Sequence, residues 1–258
     1  MGVQGAFFPA SCYLLLAVLI LLGAATYKRN FVFENERTFW EDVVARGPAN
    51  SRGHTNLGNV YLSSDRVDEG VAEFEKALAL NPRDEVAHNN LGYVYYTQGR
   101  MDKAVREYRA AIGIYPGYAE AHSNLGAAYK AMGRPEEAVA EYIEALNLKP
   151  GSVGARLNLG NAYRGMGFPE EAAEEYREAL KIDPAQADIR LNLGNAYREM
   201  GRVDEAAAEY MAALRLKPDS AEFHSNLGIA YDDLGRTDDA VREYREANKA
   251  QPRLRACP

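Results

Sequence analysis

The sequence predicts an all-α protein: an α-solenoid of six 34-residue helix pairs, preceded by a single transmembrane helix. Three observations predict this fold class. The pattern Asn-Leu-Gly-x-x-Tyr recurs six times at a strict spacing of 34 residues, a proline closes every unit, and the first 27 residues carry no charged side chain. A fixed period of this size is typical of stacked units, because each unit can bury its apolar face only against its neighbours.

The N-terminal segment, residues 1–27, is predicted to be a membrane anchor. Its apolar run, 5–27, would reach roughly 34 Å as a helix, against a hydrocarbon core of about 30 Å. The alternative is a cleaved signal peptide with a small-residue cleavage site at 23–25. We favour the anchor because the positively charged start of a signal peptide is missing, and Lys28 and Arg29 follow the apolar run instead.

The juxtamembrane segment, residues 28–50, is predicted to contain a capping half-repeat. When the aromatic, apolar and proline positions that end the first unit are moved back by 34 residues, they fall on Trp40, Val43 and Pro48. A lone helix over 35–46 is therefore expected to cover the first full unit.

Six units fill the rest of the chain, and each is expected to hold two helices. Their boundaries are 51–84, 85–118, 119–152, 153–186, 187–220 and 221–254, with 255–258 as a tail. The apolar residues of each half follow a helical spacing, and a glycine separates the halves in five units, where a helix end favours positive φ. Asp65 takes the place of that glycine in the first unit.

This pattern closely resembles the tetratricopeptide repeat (TPR) family over residues 51–254. The resemblance implies a right-handed superhelix of antiparallel helix pairs whose first helices line a concave groove. Partner peptides lie in that groove in the family. The sequence therefore predicts a membrane-anchored scaffold, a monomeric array without enzymatic activity, that binds a protein or an extended peptide.

A second resemblance covers about residues 8–56 and supports an alternative function. It lies in three motifs: Thr26-Tyr-Lys-Arg29-Asn30, Glu36-Arg-Thr-Phe-Trp40-Glu-Asp42 and Pro48-x-x-Ser-Arg52. They look like the junction between membrane helices and repeats in multi-pass transmembrane-and-TPR proteins, which include the protein O-mannosyltransferase-like group and its bacterial relatives. The alternative is the C-terminal part of a membrane glycosyltransferase-like protein that lacks its catalytic portion and presents acceptor proteins.

Two signals disagree about the side of the membrane. The second resemblance implies an extracytoplasmic array, in the periplasm or the lumen, and this is the location we expect. The basic residues Lys28, Arg29 and Arg37 favour a cytoplasmic array under the positive-inside rule.

A row of amide side chains marks the expected binding surface. The residue before each anchor leucine is asparagine: Asn56, Asn90, Asn124, Asn158, Asn192 and Asn226. Amides can donate to and accept from the backbone of an extended peptide without reading its sequence. The row resembles the asparagine ladder of the O-GlcNAc transferase superhelix. The alternative is that asparagine simply satisfies the repeat consensus at this position.

The fourth and fifth units are nearly identical in their first helices. They add four side chains to the row: Asn161, Arg164, Asn195 and Arg198. Lys130 stands one unit earlier. Two guanidinium groups beside amides could hold a carboxylate or an acidic peptide. Alternatively, these arginines pair with helix glutamates such as Glu171 or Glu199.

The remaining chemistry points away from catalysis, cofactors and metals. The chain is 26% charged with a net charge of −7, which argues against nucleic-acid binding, and its two cysteines form no disulfide framework. It has no Gly-rich phosphate loop, CxxC or HExxH motif. The four histidines, His54, His88, His122 and His224, share one repeat position. Neighbouring copies should lie about 10 Å apart, too far to converge on zinc, so we interpret the position as packing.

Overall fold

The computed structural model describes residues 36–250, which form thirteen α-helices. They are α1 (Glu36–Arg46), α2 (Ser51–Ser63), α3 (Val67–Leu80), α4 (Glu85–Thr97), α5 (Met101–Ile114), α6 (Ala119–Ala131), α7 (Pro135–Leu148), α8 (Val153–Gly165), α9 (Pro169–Ile182), α10 (Ala187–Glu199), α11 (Val203–Leu216), α12 (Ala221–Asp233) and α13 (Thr237–Ala250). The even-numbered helices carry the Asn-Leu-Gly pattern and are called A helices below; the odd-numbered ones are B helices. The prediction of an all-α array of helix pairs is confirmed.

The predicted transmembrane helix, residues 1–27, lies outside the described residues, as does the tail, 255–258. Within 36–250, no helix combines the length and the apolar character needed to cross a bilayer.

The chain divides into two compact units, one up to Val94 and one from Tyr95 onward. In the first unit, α1 packs against α2 and α2 against α3. In the second unit, the pairs α6–α7, α8–α9, α10–α11 and α12–α13 each pack together, and each B helix from α5 to α11 contacts the A helix that follows it. Every pair in the second unit is therefore held by its neighbours in sequence.

The turn within each helix pair requires a residue with positive φ. Gly201 has φ 74° between α10 and α11, and the amide of Arg202 donates to the carbonyl of Tyr197 at 2.8 Å, which closes the end of α10. Asp65 occupies the same turn of the first pair with φ 59°. The aspartate therefore takes the conformation that glycine takes in the other five turns.

The core of each pair is an aromatic ring of the B helix placed against a glycine of the A helix. Tyr176 and Tyr210 are completely buried. A Cβ atom on Gly160 would lie 2.6 Å from Cε1 of Tyr176, and one on Gly194 would lie 2.5 Å from Cε1 of Tyr210. Real Cβ atoms do not approach so closely, so the anchor glycine is what allows the ring to reach the helix backbone.

Candidate binding surface

In the first unit, the two predicted amides are half-buried and one is bonded internally. Asn56 lies on α2 and Asn90 on α4. The Nδ2 atom of Asn90 donates to Oδ1 of Asn59, on α2, at 2.6 Å. The amide of Asn90 is therefore linked to the neighbouring A helix.

In the second unit, the predicted amides occupy the same position of successive A helices. Asn124, Asn158, Asn192 and Asn226 lie on α6, α8, α10 and α12, and all four are half-buried. Helix α8 contacts both α6 and α10, so the first three amides stand on adjoining helices. Asn226 differs because its Nδ2 donates to the carbonyl of Glu222 in its own helix at 2.9 Å.

Two further predicted amides are bonded to the core tyrosines. The hydroxyl of Tyr176 donates to Oδ1 of Asn161 at 2.7 Å, and that of Tyr210 donates to Oδ1 of Asn195 at 2.7 Å. Sequence reasoning missed these bonds. The signal was available, because an asparagine precedes a tyrosine by 15 residues in both units, whereas Asn59 precedes Phe74, which has no hydroxyl.

Both tyrosine hydroxyls stay protonated at neutral pH and so remain donors. Burial raises the pKa of Tyr176 to about 12, although the charge of Arg164 acts in the opposite direction. Burial also raises the pKa of Tyr210 to about 12, against the charge and the hydrogen bond of Arg198. Each hydroxyl therefore fixes which end of its asparagine partner faces the protein.

The predicted arginines lie beside these amides. Arg164 donates from Nη1 to Oδ1 of Asn192 at 3.3 Å, and its Nε lies 3.8 Å from Oε1 of Glu199. Pairing with a glutamate, one of the two alternatives, is thus present but is not at hydrogen-bond distance. The Nε atom of Arg198 is buried and has no hydrogen-bond partner in the described part of the chain.

The shared histidine position is polar and bonded, which corrects the packing interpretation. Nδ1 of His122 lies 2.7 Å from Oε2 of Glu141, and Nε2 lies 3.1 Å from the carbonyl of Pro116. His54 and His224 repeat this arrangement with the equivalent glutamate and proline. Arg190 takes the position in the fifth unit and makes the same two contacts. The position therefore connects each A helix to its B helix and to the preceding loop.

Replacing Glu73 by glutamine is expected to lower the free energy of unfolding by about 1.5 kcal/mol at neutral pH, because a buried charged pair loses one partner. Glu73 is 7% exposed, and its two oxygens lie 2.5 Å from Nδ1 of His54 and 2.7 Å from Nζ of Lys76. Burial raises the pKa of Glu73, but its hydrogen bonds to Lys76 and His54 lower it more, so the net pKa is below the ordinary value. A lowered carboxyl pKa gives stability that is complete above the ordinary glutamate pKa of about 4.3 and is lost as the pH falls through the lowered value.

Denaturant titrations across pH test this expectation. The difference between wild type and Glu73→Gln should shrink in acid, where Glu73 is protonated. Glu75→Gln is the matched control, because Glu75 is an exposed residue of the same helix and should change stability by less than about 0.5 kcal/mol. A Glu73 variant that behaves like the control would show that the contact with His54 does not stabilise the fold.

Family models match most of the described chain. A model described as TPR repeat matches residues 170–201 and 194–235. Models described as tetratricopeptide repeat match 38–85 and 55–119, 117–185, and 221–254. Together the matches run from residue 38 to residue 254. No curated protein matches the chain.

Several solved structures share the fold. MamA is 27% identical over 62% of this chain and 94% of its own, with a TM-score of 0.60. PilF of Pseudomonas aeruginosa is 22% identical over 81% of this chain and 95% of its own, with a TM-score of 0.69. YrrB, described as a TPR protein with an unusual peptide-binding site, is 21% identical over 70% of this chain and 93% of its own, with a TM-score of 0.60.

Proposed function

Because the chain belongs to the tetratricopeptide repeat family, a family of typically non-catalytic scaffolds, we propose that its second unit binds an extended segment of a partner protein along its A helices. One observation carries this proposal. Three half-buried amides, Asn124, Asn158 and Asn192, stand at the same position of the adjoining helices α6, α8 and α10. An extended backbone presents unpaired N–H and C=O groups along its length, and a regular row of amides can pair with them.

The space beside the first two amides supports the proposal. A groove around α6 and α8 is lined by Asn124 and Asn158 together with Glu120, Ser123 and Lys149. These side chains are polar and include donors and acceptors, which suits a peptide backbone better than an apolar ligand. The peptide-binding site described for YrrB is consistent with such a use of the fold, and peptide binding by this chain remains our proposal.

Replacing Asn158 and Asn192 together by alanine is expected to weaken a bound segment by about 0.5–1.5 kcal/mol per amide, because each loses hydrogen bonds to the partner. The measurement begins with a random peptide library selected on the full-length chain. The selected peptides are then titrated against wild type and variant, and thermal melting of both proteins reports whether the fold is intact.

The control is the pair Glu174→Ala and Arg215→Ala, which changes exposed side chains of the B helices α9 and α11. It should leave the affinity of the selected peptides unchanged. If the selected peptides bind the asparagine variant as tightly as wild type, the A-helix face is not the binding surface and the proposal fails.

We also propose that residues 1–27 hold the array at a membrane, with the repeats on the extracytoplasmic side. The support comes from the sequence alone: an uncharged run of spanning length that is followed by Lys28 and Arg29. Alkaline carbonate extraction of membranes, followed by protease treatment of sealed vesicles, tests both parts. Release of the chain by carbonate would contradict the anchor, and digestion of the repeats from the cytoplasmic side would contradict the orientation.

A further inference from the structure

Three cationic side chains occupy one repeat position on three successive A helices. They are Lys130 on α6, Arg164 on α8 and Arg198 on α10. The next A helix, α12, carries Asp232 at this position, and the hydroxyl of Tyr244 donates to that carboxylate at 2.7 Å. The positive stretch therefore ends at α10, within the second unit.

The charges of these side chains act on shared neighbours. Desolvation first, and the charge of Arg164 second, hold the pKa of Lys130 below its usual value. The hydroxyl of Tyr210 is affected by both Arg198 and Arg164. Like charges this close repel one another, and an anion placed among them would relieve that repulsion.

The amides beside the cations present mainly their donor ends. The Oδ1 atoms of Asn161 and Asn195 accept from tyrosine hydroxyls, and Oδ1 of Asn192 accepts from Arg164. The carbonyl ends therefore face the protein, and the NH₂ ends of these three amides donate to no residue of the described chain. A surface of outward donors and cations favours acceptors and anions over a neutral backbone, which also needs acceptors on the surface.

One native carboxylate competes for this surface. Oε1 of Glu199 lies 3.8 Å from Nε of Arg164, and both side chains are partly exposed. Lys130 and Arg198 have no carboxylate within 4.0 Å among residues 36–250. An acidic ligand would thus meet two cations without a paired carboxylate and would have to displace a weak partner at the third.

We infer that this cationic stretch selects an extended protein segment with an acidic side chain at every third residue. The inference rests on the proposed function. Packed helices lie about 8–10 Å apart, and an extended chain rises about 3.3 Å per residue, so three residues span the distance between adjoining A helices. Aspartate or glutamate at i, i+3 and i+6 then places one carboxylate beside each of Lys130, Arg164 and Arg198.

The test uses four synthetic probes and the full-length chain. The first peptide has three aspartates separated by two small residues each, the second has the three aspartates adjacent, and the third has asparagine in place of each aspartate. The fourth probe is a single-stranded oligonucleotide. We expect the spaced acidic peptide to bind at least about tenfold more tightly than the other three, and its affinity to fall as salt rises.

Variants identify the groups responsible. Arg164→Gln and Arg198→Gln should each weaken the spaced peptide by about tenfold, whereas Arg215→Gln, on an exposed part of a B helix, should not. Glu199→Gln should tighten the same peptide several-fold, because it removes the competing carboxylate. Loss of a purely structural contact would not raise affinity, so the Glu199 variant separates charge selection from folding.

Specific outcomes overturn the inference. Equal affinity for the spaced, clustered and neutral peptides, or unchanged affinity of Glu199→Gln, contradicts selection of spaced carboxylates. Tighter binding of the oligonucleotide would assign the surface to nucleic acid. If library-selected peptides still depend on Asn158 and Asn192 while the acidic probe does not bind, the proposed function stands and only the inference fails.

Discussion

Replacement of Tyr176 by alanine is expected to lower the free energy of unfolding by about 3–5 kcal/mol, as for other buried aromatic side chains. Tyr176 is completely buried and lies against Gly160, and its hydroxyl bonds Asn161 at 2.7 Å. The substitution leaves a cavity between α8, α9 and α10, because α9 contacts both A helices. Denaturant unfolding followed by circular dichroism measures the total loss.

The location of the damage is a second part of this expectation. Repeat arrays are stabilised by each unit and its neighbours, so a local defect opens nearby helices first. Amide hydrogen exchange should therefore accelerate in α8, α9 and α10 before it does so in α13. Uniform acceleration throughout residues 36–250 would contradict a local role for the ring.

Two phenylalanine variants separate the ring from the hydroxyl. Tyr176→Phe should cost about 1 kcal/mol, because only the bond to Asn161 is lost. Tyr142→Phe should be nearly neutral, because Tyr142 fills the same position in α7 and α6 has Ala127 where α8 has Asn161. If Tyr176→Phe costs as much as Tyr176→Ala, the hydrogen bond, not the packing of the ring, is the main contribution.

The periodic part of the fold could be predicted because each repeat encodes its own helix pair. Gly201 shows this: glycine after a helical pattern predicts positive φ, and its φ is 74°. The core contact was also accessible, since Gly160 and Tyr176 recur at a fixed spacing as Gly194 and Tyr210. Such positions depend on neighbours that the period itself identifies.

The site was less accessible because its bonds join different helices. The amide positions of Asn158 and Asn192 follow from the repeat, but the direction in which an amide points depends on what bonds its carbonyl. Arg164 orients Asn192, and the two are 28 residues apart. The expectation that amides both donate and accept therefore missed that their carbonyl ends are already bonded.

The histidine position was misinterpreted for a related reason. Its partner glutamate follows 19 residues later, on the B helix, as between His122 and Glu141. Helical periodicity reports which residues share a face of one helix and not which residues meet across a pair. Six glutamates repeat at this spacing in the sequence, so comparing the period of two positions would have predicted the contact.

Replacing Gly160 by alanine is expected to destabilise the array by about 1–3 kcal/mol or more, because the new methyl group overlaps the ring of Tyr176. The Cβ atom would lie 2.6 Å from Cε1 and 3.0 Å from Cζ of that ring. The ring is completely buried beneath α8, so it can move away only by displacing the backbone of α9. Denaturant unfolding of the full-length chain measures the loss.

Gly154 provides a control of opposite sign in the same helix. A Cβ atom there would have no neighbour within 4 Å, and the position is exposed. Alanine favours the helix over glycine by about 0.5–1 kcal/mol, so Gly154→Ala should raise the free energy of unfolding while Gly160→Ala lowers it. Two identical chemical changes six residues apart would then differ only in what the methyl group meets. If both variants stabilise the chain, the ring of Tyr176 yields easily, and close approach to the A-helix backbone is not what requires glycine at this position.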